Sequence, residues 1–122
     1  MWDRAHRETQ VPVALYAELV ADEEVLPAFV TSIGEQGLLL DSLAILRNRR
    51  TDLLQLQLTL PGEPDTLWIG AEIVRDTRGL LFNVTAIRFL AMANLHWHCI
   101  RRWVRVRELV LATQSIGVHS AA

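Results

Sequence analysis

One change of rhythm constrains this chain more than any other feature. Up to about Phe89 the apolar residues recur at every second position, and from about Ala91 at every third and fourth. A strand turns successive side chains to opposite faces, whereas a helix returns to the same face after three or four residues. The switch therefore predicts a sheet made first and one helix laid against it last. The clearest stretch is Leu54, Leu56, Leu58 and Leu60, alternating with Gln55, Gln57 and Thr59. Leucine is a modest strand former, but a helix would scatter these four around its circumference.

The remaining segments fall into the same scheme. Val11, Val13, Leu15, Ala17 and Leu19 predict a half-buried first strand. Pro12, which has no N–H to donate, belongs near the beginning of that strand or at a sheet edge. Asp22, Glu23, Glu24 and Pro27 predict a turn, and residues 29–33 and 38–40 predict two short strands around Gly34 and Gly37. Residues 47–52 read as a polar loop, and Pro61, Gly62 and Pro64 end the leucine strand. Leu67, Ile69, Ala71 and Ile73 resume the alternation with Trp68, Gly70 and Glu72 on the other face. Residues 76–79 predict the next turn, and residues 80–89 the last strand or strand pair. Met92, Leu95, Cys99, Trp103, Val106 and Val110 then form the stripe of an amphipathic helix. The expectation is a mainly β protein: a small antiparallel barrel of five to seven short strands, closed by a C-terminal helix. One domain spans 1–112, with an arginine-bearing leader at 1–10, the helix at 91–112 and a frayed tail at 113–122.

Composition narrows the function. A chain of 122 residues, 51% hydrophobic and 21% charged, suits one soluble globular domain. Fourteen acids against 12 bases leave a formal charge of −2, which gives no overall attraction to nucleic acid or anionic membrane. All the bases are arginine, so each cation is a planar fork suited to carboxylate, phosphate or guanine edges. No apolar run reaches the roughly 20 residues of a membrane span, and Trp2, Asp3 and Arg4 open no signal segment. The expected location is the cytoplasm.

Catalytic and metal chemistry lack the residues they need. The single cysteine, Cys99, excludes an internal disulfide and any multi-cysteine metal site. His96 and His98 point about 200° apart on a helix, so with Cys99 they make no shared metal site. Ser32, Cys99 and Ser115 have no histidine–carboxylate pair that periodicity brings near. The Gly34–Gly37 segment is too short for a phosphate loop and has no lysine to complete one. The expectation is a protein that is not an enzyme and carries no metal and no cofactor. Arg4 and Arg7 before the first strand, Arg47, Arg49 and Arg50 in a loop, and Arg101, Arg102, Arg105 and Arg107 on the helix remain as surface cations.

The order of elements resembles a known family. The arginine-containing leader runs into Val11-Pro12-Val13, followed by Thr31-Ser32-Ile33-Gly34-Glu35-Gln36-Gly37-Leu38. Then come Leu60-Pro61, Ala71-Glu72-Ile73-Val74-Arg75, and Ile87-Arg88-Phe89 before the helix. Over about residues 4–107 this is similar to a PilZ domain. The resemblance implies a six-stranded antiparallel barrel with a C-terminal helix, and a link to the bacterial second messenger cyclic di-GMP. It also implies two ligand motifs, both altered here. The family leader carries two arginines separated by three residues; Arg4 and Arg7 are separated by two, and the paired places fall near His6 and Gln10. The second motif, an Asp or Asn followed by Ser and then Gly, finds Ser32, Gly34 and Gly37. Only the glycine matches, and a tight turn with positive φ would explain it.

What the resemblance implies for function is a PilZ-like regulatory or adaptor protein with weak or lost cyclic di-GMP binding, acting through protein partners as a monomer or homodimer. PilZ-like proteins influence motility, pili, polysaccharide or cell polarity. Trp68, opposite Ile69 and Ile73, and Trp97, off the helix stripe, are the expected anchors, with Arg101 and Arg105 beside them. The alternative is a cyclic di-GMP receptor that uses Arg4, Arg7, Ser32, Gly34 and Gly37 in a shifted arrangement. Nucleic-acid binding through the helix arginines is disfavoured by the overall charge, and membrane insertion is not expected.

Overall fold

Alternation along each segment becomes the inside and outside of a closed sheet. The computed structural model describes residues 10–21, 23–42, 52–79 and 83–121. These form β1 (Val11–Ala21), β2 (Glu24–Ile33), β3 (Gly37–Ser42), β4 (Leu53–Leu58), β5 (Leu67–Arg78), β6 (Asn83–Ala91) and α1 (Asn94–Ala121). The strands close into an antiparallel barrel in the order β1-β2-β3-β6-β5-β4. Its inside is filled by one residue in two from each strand: Leu19, Val30, Leu38, Leu40, Leu56, Ile69 and Ile87 are all fully buried. Burying each such side chain stabilises the fold by about 1.5–3 kcal/mol against leaving it exposed. The expected six-stranded barrel with a C-terminal helix is therefore present.

The barrel consists of two sets of three neighbouring strands, β1-β2-β3 and β4-β5-β6, joined at two seams. One seam pairs Gly37–Ser42 of β3 with β6, and the other pairs residues 17–20 of β1 with residues 55–58 of β4. Pro12 lies outside the β1–β4 pairing, beside a register shift between Pro12 and Leu15, so its missing N–H breaks no pairing with β4.

Several boundaries differ from the sequence expectation. Pro27 lies within β2, opposite Glu18, and marks no turn. Among the described residues, β3 pairs with β2 from Phe29 onward, so Pro27 takes no described pairing with β3 that its missing donor would break. Glu23, with φ of 70°, makes the reversal between β1 and β2. Residues 76–78, expected as a turn, continue β5 opposite Thr85, Val84 and Asn83. The helix begins at Asn94, because β6 runs on to Ala91, and its backbone continues through the expected tail to Ala121. The leader residues 1–9 and most of the loop with Arg47, Arg49 and Arg50 lie outside the described residues.

The helix closes one end of the barrel. Ile100, Trp103 and Val104 are buried in the core. The Trp103 indole N–H donates to the Pro61 carbonyl at 3.0 Å, and the Trp68 backbone N–H donates to His96 Nδ1 at 3.5 Å. This docking selects a face that only partly overlaps the predicted stripe, keeping Trp103 and part of Cys99. Leu95 is 71% exposed and Val106 53%, whereas Ile100 and Val104 are fully buried. Apolar residues surround much of this helix, and only the barrel decides which of them face inward. No helix among the described residues is long and apolar enough to cross a membrane.

Candidate functional site

Two neighbouring features occupy the barrel end that α1 covers: the β2–β3 hairpin and a cleft between the barrel and the helix. In the hairpin the Gly34 N–H donates to the Gly37 carbonyl at 2.9 Å, closing a tight connection over residues 34–36. Gly37 is buried and pairs with Arg88 across the β3–β6 seam. Among the described residues only Gly62, at φ 85°, is a glycine with positive φ, so positive φ is not what Gly37 supplies.

Just before β1, the Gln10 side chain reaches this hairpin. Its Nε2 donates to the Gly37 carbonyl at 3.5 Å, and its Oε1 accepts from Ser32 Oγ at 3.2 Å. Ser32 and Gly37 are thus brought together, with Gly34 in the same turn. Arg4 and Arg7 lie outside the described residues.

The cleft, about 420 Å³ in volume, is bounded by Glu35 and Gln36 from the hairpin, Arg88 and Phe89 from β6, and Trp97, Arg101 and Arg105 from α1. Phe89 and Trp97 meet edge to face with ring centroids 6.2 Å apart. Trp97 is half-buried: the helix docks with that side toward β6, so the ring packs on Phe89 and also lines the cleft. Trp68 does stand outward on β5, 48% exposed.

The arginines of the cleft are held unequally. Arg88 and Glu72 face each other across β6 and β5 and form an ion pair, but Arg88 Nε is buried without a partner. Arg105 Nε stands 3.8 Å from Glu35 Oε1, a long contact. The Arg101 guanidinium lies 6.0 Å from the Trp97 ring centre and has no acid partner among the described residues. Arg101 and Arg105 are four residues apart and share a helix face. Sequence reasoning singled out these two but missed Glu35, Arg88 and Phe89. The available signal was Arg88 itself, a charge between Ile87 and Phe89 that alternation turns to the outer face of the barrel. No group of three or more potential metal ligands occurs among the described residues.

No family model matches the chain, and no curated protein matches it. Solved structures do. The inhibitor of motility MotI/DgrA of Bacillus subtilis superposes with a TM-score of 0.72 at 14% identity, over 84% of this chain and 50% of that one. The Escherichia coli YcgR structure, a complex with c-di-GMP, gives 0.68 at 13% identity, over 92% of this chain and 50% of that one. The PilZ domain of CeSA from a cellulose-synthesizing bacterium gives 0.59 at 13% identity, over 82% of this chain and 98% of that domain. The fold is that of a PilZ domain. The chain spans about half the length of MotI/DgrA and YcgR, and nearly all of the isolated CeSA PilZ domain.

Proposed function

We propose that this PilZ-like chain is a non-enzymatic, cytoplasmic regulatory module that works through protein contacts and in which cyclic di-GMP binding is weak or lost. The observation that carries this reading is the Gln10 contact. Where the family leader presents arginine to the hairpin, a neutral amide here joins Ser32 Oγ and the Gly37 carbonyl. Among the described residues, groups that would meet a nucleotide meet each other instead, and Gln10 brings no charge to the hairpin. Each missing charged contact costs about 1.5–3 kcal/mol. Losing an arginine and a carboxylate together therefore weakens binding by about two to four orders of magnitude. YcgR, with which the chain shares its fold, was solved with c-di-GMP, and MotI/DgrA is an inhibitor of motility, so the reading sets this chain in the same kind of signalling.

A second reading rests on the same contact. Gln10 ties the end of the leader to the hairpin, so Arg7 and Arg4 are only three and six residues from it along the chain. In that reading they replace the missing arginines and hold cyclic di-GMP against Ser32, Gly34 and Gly37. Calorimetric titration with cyclic di-GMP to about 100 μM separates the two. A flat trace for the wild type, with binding gained by His6→Arg/Gln10→Arg/Ser32→Asp/Gly34→Ser, supports the adaptor. Saturable wild-type binding that Arg7→Ala abolishes establishes the receptor and overturns it.

A further inference from the structure

The cleft between the barrel and α1 has a character that neither nucleotide motif explains. Its floor is apolar and aromatic, formed by Phe89 and Trp97. Above the floor stand guanidinium groups from two elements: Arg88 from β6, and Arg101 and Arg105 one turn apart on α1. Their hydrogen-bonding capacity is only partly used, as the orphaned Arg88 Nε, the acid-free Arg101 and the long Arg105–Glu35 contact each demonstrate.

The charge is also local. At the cleft Arg88, Arg101 and Arg105 stand against Glu35 and the Arg88 partner Glu72, a formal +1. With the whole chain at −2, everything else together carries −3. The cleft is therefore a cationic spot on an otherwise acidic molecule, and it attracts a negative partner that the rest of the surface repels.

We infer that this cleft docks an acidic segment of a partner protein, with two carboxylates meeting Arg101 and Arg105 and an apolar side chain between them covering Trp97 and Phe89. This rests on the adaptor reading and specifies the chemistry of its partner. Guanidinium forks pair with carboxylates through two parallel hydrogen bonds, and arginine and tryptophan are the residue types on which interface energy concentrates. Glu35 adds an acceptor at the lip. Acceptors beside donors match a polypeptide, which brings N–H groups with its carboxylates, better than they match a bare phosphate.

The test is an NMR titration of the full chain with a synthetic 12-residue peptide carrying two Glu-Glu pairs around a central Leu-Leu. The expected result is saturable binding with a Kd below about 1 mM. The largest shifts fall on the Trp97 indole and on the Arg101 and Arg105 Nε–H groups. Raising the salt from about 50 to about 300 mM weakens binding at least about fivefold, since rim charges are screened. Arg101→Gln/Arg105→Gln weakens it about tenfold while keeping the wild-type melting temperature. The same peptide with Lys for Glu does not bind. Absence of saturation, shifts that map elsewhere, or equal binding by the double variant overturns the inference. None of those results touches the adaptor reading, which stands or falls on the nucleotide titration at the hairpin.

Discussion

Two grooves flank the same stretch of α1 and are opposite in character. One is the cleft with Arg88, Arg101 and Arg105 over an aromatic floor. The other, about 260 Å³, faces the β4–β5 connection and is bounded chiefly by Glu63, Asp65, His96, Cys99 and Arg102. There Arg102 pairs with Glu63 at 3.2 Å. Burial and, next, Glu63 push the Cys99 thiol above the usual range; Asp65 adds to this and Arg102 opposes it. Arg101 and Arg102 are sequence neighbours, yet a helix turns them about 100° apart, so they fall on different flanks. The same side chain is a neutralised structural cation on one side and an under-partnered one on the other. What decides is the loop the barrel presents: the β4–β5 connection supplies two acids, and the β2–β3 hairpin supplies one, at long range.

The aromatic floor carries the largest expected effect. Trp97→Ala removes a half-buried ring that packs on Phe89, and a loss of about 3 kcal/mol is expected in urea unfolding. Trp68→Ala, on the outer face of β5, is expected to cost under about 0.5 kcal/mol in the same measurement. Equal losses would mean that Trp97 is not part of the packed structure. A smaller effect tests the acidic flank. Cys99 should react with iodoacetamide at pH 8 more slowly than a free cysteine peptide, because a raised pKa leaves less thiolate. Glu63→Gln removes a charge that raises this pKa and releases Arg102, which lowers it, so alkylation should quicken several-fold. An unchanged rate would separate the sulfur from the acids. The smallest effects concern the arginines themselves: Arg102→Gln and Arg101→Gln should each cost less than about 1 kcal/mol, with the Glu63-paired Arg102 the larger. A clearly greater cost for Arg101 would mean that its contact with Trp97 is structural.

The barrel was legible where one face of a strand is buried and the other wet. Leu54, Leu56 and Leu58 announce β4, and Leu15, Ala17 and Leu19 announce β1, because the fold uses the same period that the sequence displays. Legibility failed where partners lie far away in the chain. Pro27 reads locally as a breaker, yet it continues β2 opposite Glu18, a partner nine residues back that only the β1–β2 pairing supplies. On α1, Leu95 and Val106 belong by spacing to the same stripe as Cys99 and Trp103, yet the barrel end takes Trp103 with Ile100 and Val104 and leaves Leu95 and Val106 exposed. The candidate site was half legible for the same reason. Arg101 and Arg105 share a face by spacing alone, but Arg88 and Glu35 join them only through the pairing of β3 with β6 and the docking of the helix.

The two seams of the barrel also set the order of its breathing. Within β1-β2-β3 and β4-β5-β6 each strand pairs with its neighbour in sequence, whereas the seams bring together segments 35 or more residues apart. Closing such distant pairs carries the loop entropy that slows folding, and opening them releases it. The β1–β4 seam is secured only over Ala17–Val20, less than the full length of β3 secured at the other. It is therefore the seam expected to open first, and amide hydrogen exchange should be faster at residues 17–20 and 55–58 than in β3. The longer β3–β6 seam, which carries both Gly37 and Arg88, should outlast the β1–β4 seam, so that the hairpin and the cleft would open as one unit.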